Sequence, residues 1–426
     1  MIKFTLCAAS ALLCASTALA DQTLLSGGDV IDVERGITLK AQDILIEDGL
    51  IKAIGSTGSL GQAANASVID MRGATLLPGL SDSHVHLTSR SDVHGYRRLT
   101  VSTPRAAISG VANARKTLMA GFTTVRNLGA PGFADVDLMN AIEEGEVPGP
   151  RIIPAGRSIG ITGGHCDNNL LPFEYHSTAG GVANGPWGVR QKVRENKKYG
   201  AQVIKFCGTG GVLSKGTSIG AQQFSLEEMS AIVDEAHLLG LKVAVHAHGT
   251  DGIDTALEAG VDSVEHASMI SDEGIAVAKA QGTYLSMDVY VSDFILSEGA
   301  AAGILPESLD KERQVGRVQR ERFQVAVKAG SNMAFGTDAG VYSHGLNGRQ
   351  FAYMVQWGMT PMQAIQASTI NNANLFGLES EIGSIKTGKA ADIIAVNGNP
   401  LSDIRELEDV DFVMKGGLVF VNKLGQ

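Results

Sequence analysis

Ten histidines stand at positions 84, 86, 94, 165, 176, 237, 246, 248, 266 and 344 of the 426-residue chain. Scattered at random they would form roughly 0.2 His-x-His pairs. Two occur, His84-Val85-His86 and His246-Ala247-His248. In an extended strand residues i and i+2 share a face, so each pair can aim two imidazoles at one cation while the residue between them turns away. Lys205 lies inside the apolar run Val203-Ile204-Lys205-Phe206-Cys207, where burial drives a lysine toward its neutral amine. With His266 and Asp338 these residues form a set suited to metal-assisted hydrolysis.

Such a set needs a scaffold that gathers distant residues. Apolar runs of strand length fall at 74–80, 123–128, 151–155, 203–207, 242–246, 263–266, 283–288 and 332–336, and they alternate with helix-length amphipathic stretches such as 104–120, 225–239 and 311–329. Gly121, Gly240 and Gly330 stand where helix C-caps belong. Eight strand–helix units in series predict a (β/α)8 TIM-like barrel over residues 79–382. His84 and His86 follow the first strand, Lys205 lies in the fourth, His246 in the fifth, His266 ends the sixth and Asp338 follows the eighth. All then gather at the C-terminal rim, where barrel enzymes carry their active sites. An open doubly wound sheet is the alternative, but no dinucleotide fingerprint, nucleophile elbow or P-loop is evident. Residues 21–78 and 383–426 share a texture of short strands and turns, which predicts a small β-sandwich domain built from both chain ends.

Composition narrows the partners. With 45 acidic against 35 basic residues and a formal charge of −10, the chain lacks the clustered cations that nucleic acid demands. At 44% hydrophobic it is also too apolar for disorder. The opening MIKFTLCAASALLCASTALA has one cation, a short apolar core and a small-x-small exit, the order of a secretory signal peptide cleaved after Ala20. No later run is long and apolar enough to span a bilayer, so the reading is a soluble, secreted or periplasmic protein. Of four cysteines Cys166 and Cys207 then remain, after neighbouring strands, and whether they pair is left open.

SDSHVHL at 81–87, VIKFCGTGG at 203–211, AVHAHG at 244–249, VEHAS at 264–268, FGTDAG at 335–340 and GSIKTGKAADIIAVNGNPL at 383–401 resemble the motifs of the metal-dependent amidohydrolases. The resemblance covers nearly the whole mature chain and is strongest to the binuclear prolidase-like branch, with its Xaa-Xaa dipeptidases and ochratoxin-hydrolysing amidases. It implies two Zn²⁺ ions: His84, His86 and Asp338 on the more buried one, His246 and His266 on the more exposed one, and an N6-carboxylated Lys205 bridging both. It implies Asp338 as the catalytic base and a dipeptide or N-acyl amino acid as substrate, in a homo-oligomer with an octamer among the options. His246 and His248 share a face and spacing alone does not separate them; the family pattern makes His246 the ligand and leaves His248 facing substrate. His165, His248, Lys215 and Tyr290 are candidates to hold the substrate carboxylate. His94, His176, His237 and His344 read as structural or surface residues, His344 with a possible place at the site's mouth. Other readings compatible with the motifs are an ochratoxin-type aryl amide hydrolase, a lactonase, an imidazolonepropionase-like cyclic amide hydrolase and a non-catalytic scaffold.

Overall fold

A computed structural model describes residues 22–61 and 66–425. The leader expected over residues 1–20, with its cleavage after Ala20, lies outside the described residues. Eight parallel strands form the barrel: Leu80–Val85, Phe122–Asn127, Arg151–Pro154, Val203–Cys207, Lys242–Ala247, Ser263–His266, Tyr284–Ser286 and Asn332–Ala334. The first three pair in order, as do the last five. Two seams close the ring. At one, Gln202 N donates to Pro154 O at 2.8 Å and Ile159 bridges Phe206; at the other, Ser83 N donates to Phe335 O at 2.8 Å and Val85 bridges Ala339. The protein is a (β/α)8 barrel with a β-sandwich domain.

The first barrel strand corrects the sequence reading. The apolar stretch 74–80 is two strands: Thr75–Pro78 pairs antiparallel with Ile393–Val396 in the terminal sheet, and Leu80–Val85 opens the barrel. Pro78 and Gly79 supply the break, and at Gly79 a Cβ would lie 2.2 Å from Thr123 Oγ1, so only glycine lets the chain pass. His84 consequently sits inside the strand and only His86 follows it. The terminal sheet runs from Leu418–Asn422 through Ile393–Val396 and Thr75–Pro78 to Gln22–Asp32 and Leu50–Ser56. Leu25, Ile44 and Leu76 from one chain end pack with Ile393, Phe412 and Met414 from the other.

Strand alternation decides what enters the barrel. Ile204 and Phe206 belong to the main core under the helices, whereas Val203 and Ala244 join Leu128, Ile153 and Ala155 in a separate small cluster, the floor of the interior. One layer above Val203 and Ala244 come Lys205 and His246. The helices outside are set by local signals. Ser225 and Glu228 form a capping box at the start of Leu226–Leu238. The helix expected from residue 311 begins at Pro306, which occupies the first turn, and runs to Ala329 before Gly330 caps it at φ 71°.

Candidate metal centre

His84, Lys205 and His246 reach the centre by ordinary alternation from the first, fourth and fifth strands. His266 needs another device. It and Glu265 are sequence neighbours that both turn inward, which a regular strand forbids. The left-handed backbone of His266 (φ 68°) and Ala267 (φ 48°) breaks the alternation. Asp338 (φ 56°) follows Thr337 in the same way. Such conformations cost on the order of 1–3 kcal/mol each and persist where neighbours over-determine them. Here Asp338 N is held by His84 O at 2.8 Å. The Asp82 carboxylate ties the two loops together, accepting from Thr337 Oγ1 at 2.6 Å, Asn347 Nδ2 at 2.8 Å and His84 N at 3.1 Å.

The donors form two joined groups. His84 Nε2 and His86 Nε2 lie 3.5 and 3.2 Å from Asp338 Oδ1. His246, His248 and His266 each bring a ring nitrogen within 4.8 Å of the others. The rings of His84 and His266, with centroids 5.0 Å apart, join the groups. The outer ring nitrogens are held from behind. His266 Nδ1 meets Asp288 Oδ1 at 2.9 Å, His248 Nδ1 meets Ser268 Oγ at 2.8 Å, and His165 Nδ1 meets Ser214 Oγ at 2.8 Å. His84 Nδ1 lies 3.1 Å from Glu265 Oε2, in charge contact but without hydrogen-bond alignment. With Nδ1 engaged, Nε2 is left for the centre, the usual arrangement behind a metal-ligating histidine. His246 Nε2 is buried without a hydrogen-bond partner, a cost that a cation at this point would relieve.

Electrostatics put most of these groups in their ligating states; His266 is the exception, where burial would lower the imidazole but the charge and hydrogen bond of Asp288 outweigh it and raise it. Burial, and after it the charge of Lys205, brings His84 down to about 4. Burial likewise holds His246 and His248 well below the ordinary histidine value. It also brings Lys205 down to about 8, against the opposing pull of Glu265 and Asp338. Burial would raise Asp338, but its close contacts with His84 and His86 outweigh it and hold the carboxyl below its usual range. Neutral imidazoles and a carboxylate are the forms that bind metal, and with the donor groups converging and His246 Nε2 buried without a partner the residues present fit a cation pair.

Of the expected substrate partners, His165 stacks on His246 with centroids 4.0 Å apart, and His248 lies inside the cluster. Lys215 and Tyr290 are engaged elsewhere. Lys215 Nζ donates to Tyr96 Oη at 2.6 Å, and Tyr290 Oη accepts from Arg349 Nη1 at 2.9 Å. His344 does not line the mouth; it is buried behind His86, with its ring on His86 O and Thr117 Oγ1. Cys166 and Cys207 form a disulfide beside the site, their Cα atoms 5.9 Å apart. Glu265, Asp288, Arg126, Asp82 and Ser268 were not singled out from sequence, because nothing in their spacing marks them.

A profile of the Amidohydrolase family matches residues 75–419. This chain belongs to the amidohydrolase family. It is 32% identical over 433 residues to ochratoxinase of Aspergillus niger, covering 96% of this chain and 88% of that one. Among solved structures it resembles a Xaa-Pro dipeptidase with methionine bound in the active site, at 38% identity and a TM-score of 0.89, covering 94% of this chain and all of the other. A prolidase complexed with N-methylphosphonate-L-proline gives 31% identity and a TM-score of 0.86 over 94% of this chain and all of that one. The amidohydrolase described here is therefore a hydrolase of the prolidase-like branch, with relatives that act on amide bonds.

Proposed function

We propose that this amidohydrolase uses two zinc ions to hydrolyse the amide bond of a dipeptide or an N-acyl amino acid. The observation that carries the reading is the convergence of His84, His86 and Asp338 with His246 and His266 around the buried Lys205. The first three would hold one ion and the two histidines the other. Lys205 would bridge them as a carbamate, for which its amine must be neutral, and burial has already brought it down to about 8. When bound, the ions supply a Lewis acid for the scissile carbonyl and a water acidic enough to ionise near neutral pH. Asp338 takes a proton at its carboxylate and delivers it to the leaving amine. His248, steadied by Ser268, and His165, steadied by Ser214, face the substrate.

Similarity to the Aspergillus niger ochratoxinase supports a second reading, an aryl-acyl amino acid as substrate, which needs the same centre. The signal-peptide pattern read over residues 1–20 and the Cys166–Cys207 disulfide support export to an oxidising compartment such as a periplasm. Zinc-loaded enzyme assayed on dipeptides, N-acyl amino acids and ochratoxin A is the test, with elemental analysis of the same sample. Hydrolysis within the panel by a two-metal protein supports the reading. Turnover of lactones alone would move it to ester chemistry, and failure to retain metal would favour a scaffold.

A further inference from the structure

We propose that Gln319 is a positioning residue for the metal centre: its side-chain amide clamps the turn that aims His266 and so sets the grip on the ion that His246 and His266 would share. The inference rests on the two-ion reading above and names a residue outside the ligand set. His266 reaches the centre through a costly local bend. Ala267 N donates to Glu265 O at 2.9 Å across His266, whose φ is 68°. That is a γ-turn of the strained, left-handed kind, and a second left-handed residue follows at Ala267. A bend of this sort persists only where its surroundings over-determine it. Gln319 is what holds it here: Nε2 donates to His266 O at 3.2 Å and to Asp288 Oδ1 at 2.7 Å. The same Asp288 oxygen meets His266 Nδ1 at 2.9 Å. One amide thus ties His266 twice, directly at its carbonyl and through Asp288 at its ring, and Nε2 of that ring is left for the centre.

The chemistry of the two partners explains the residue type. Both are acceptors, a carbonyl and a carboxylate, so the amide must turn its nitrogen toward them and can give one hydrogen to each. A glutamate would face them with oxygens, and a lysine would set a positive charge beside the ions. An apolar side chain would leave both acceptors short of a donor in a place closed to water, since Gln319 and Asp288 are both buried. The clamp also has a fixed base. Gln319 stands in the helix Pro306–Ala329, which is fastened to the sixth and seventh units of the barrel. Arg320 Nε donates to Val289 O at 2.9 Å, just after the seventh strand, and Arg322 pairs with Asp272, the first residue of the helix after the sixth. A helix so held presents Gln319 between the ends of those two strands, where His266 and Asp288 stand.

The test needs no substrate. Metal-free wild type, Gln319→Met and Gln319→Glu, each shown to be folded by circular dichroism, are titrated with Zn²⁺ by calorimetry and with Co²⁺ by visible absorption, bicarbonate being present throughout. Loss of the support behind a metal-binding histidine is expected to weaken one of the two ions by about 10- to 100-fold in Gln319→Met and to leave the other as in wild type. The visible bands of that Co²⁺ should change as well, because they report ligand geometry, which a mere loss of stability does not move. Gln319→Glu should lose at least as much, since its carboxylate faces Asp288, and it decides the matter if Gln319→Met does not fold. Arg322→Met, which frees the same helix from Asp272, is the control and should keep both affinities. The clamp is overturned if the Gln319 variants keep both affinities and the wild-type bands, if they weaken both ions equally, or if Arg322→Met weakens the same ion. Wild type that takes up fewer than two ions defeats the two-ion reading on which the clamp rests. Wild type that takes up two but cleaves nothing in the substrate panel defeats the amide reading and leaves the clamp standing.

Discussion

Replacing Arg126 by methionine isolates the support beneath the metal centre. Arg126 and Glu265 are 1% and 0% exposed and form an ion pair at 2.7 Å. Arg126 Nε also donates to Ser83 O at 2.7 Å, and Ser263 Oγ donates to Glu265 Oε1 at 2.6 Å. The other Glu265 oxygen faces His84. Burial pushes Glu265 up, but the charge of Arg126 and the contact with His84 prevail and hold it well below the usual carboxylate range. Methionine fills the volume yet leaves a buried carboxylate unpaired. Breaking one side of such a pair costs about 3–5 kcal/mol. Glu265→Gln should cost about as much, because Arg126 is then stranded. The double variant Arg126→Met/Glu265→Gln should recover most of the loss, since removing both partners is often near neutral. Equilibrium urea denaturation of the metal-free protein keeps metal binding out of these figures. Glu265→Gln should also bind zinc about 10- to 100-fold more weakly, because His84 loses the carboxylate behind its Nδ1. Single losses below about 1 kcal/mol, or losses that simply add in the double variant, would refute a tightly coupled buried pair.

Asp338→Asn should lower kcat by at least about 100-fold while most of the metal stays bound, measured by steady-state kinetics with elemental analysis. Lys205→Met should reduce bound zinc, and in wild type reconstitution of activity at neutral pH should depend on added bicarbonate, with the mass of one CO2 on the intact chain as the direct sign. Cys166→Ser/Cys207→Ser should lose about 4 kcal/mol of stability by the chain-entropy account, given a separation of 41 residues, and dithiothreitol should cost wild type the same but not the variant. Glu312, bonded to Ser292, is pushed up to about 7 by burial from an ordinary 4.5. A raised acid pKa gives stability that is complete below pH 4.5 and is lost as pH rises toward 7. The advantage of Glu312→Gln over wild type should therefore grow by about 3 kcal/mol across that window, read from denaturation midpoints, and a flat difference would count against the assignment.

Much of this protein is local in origin and was legible as a string of residues. Periodicity, Gly caps and the apolar runs located the barrel strands to within a few residues, because strand and helix periods reflect backbone geometry that each segment carries by itself. The exception was instructive: the run at 74–80 is uniformly apolar, so periodicity could not reveal that Pro78–Gly79 hands the chain from one sheet to another. The candidate metal donors could be named as well, since two His-x-His pairs and a lysine in an apolar run are improbable for reasons of chemistry alone.

What lay outside the sequence was whatever depends on residues far apart meeting through a third element. Glu265 behind His84 and Asp288 behind His266 carry no pattern of their own. Nor could alternation foresee that Glu265 and His266 face the same way, because the left-handed turn at His266 exists only while the closed barrel holds it. Residue types and spacing thus determined the fold class and the kind of centre. Only the tertiary structure decided which groups support that centre and which remain free to meet a substrate, since pairing is a property of space and not of chain order.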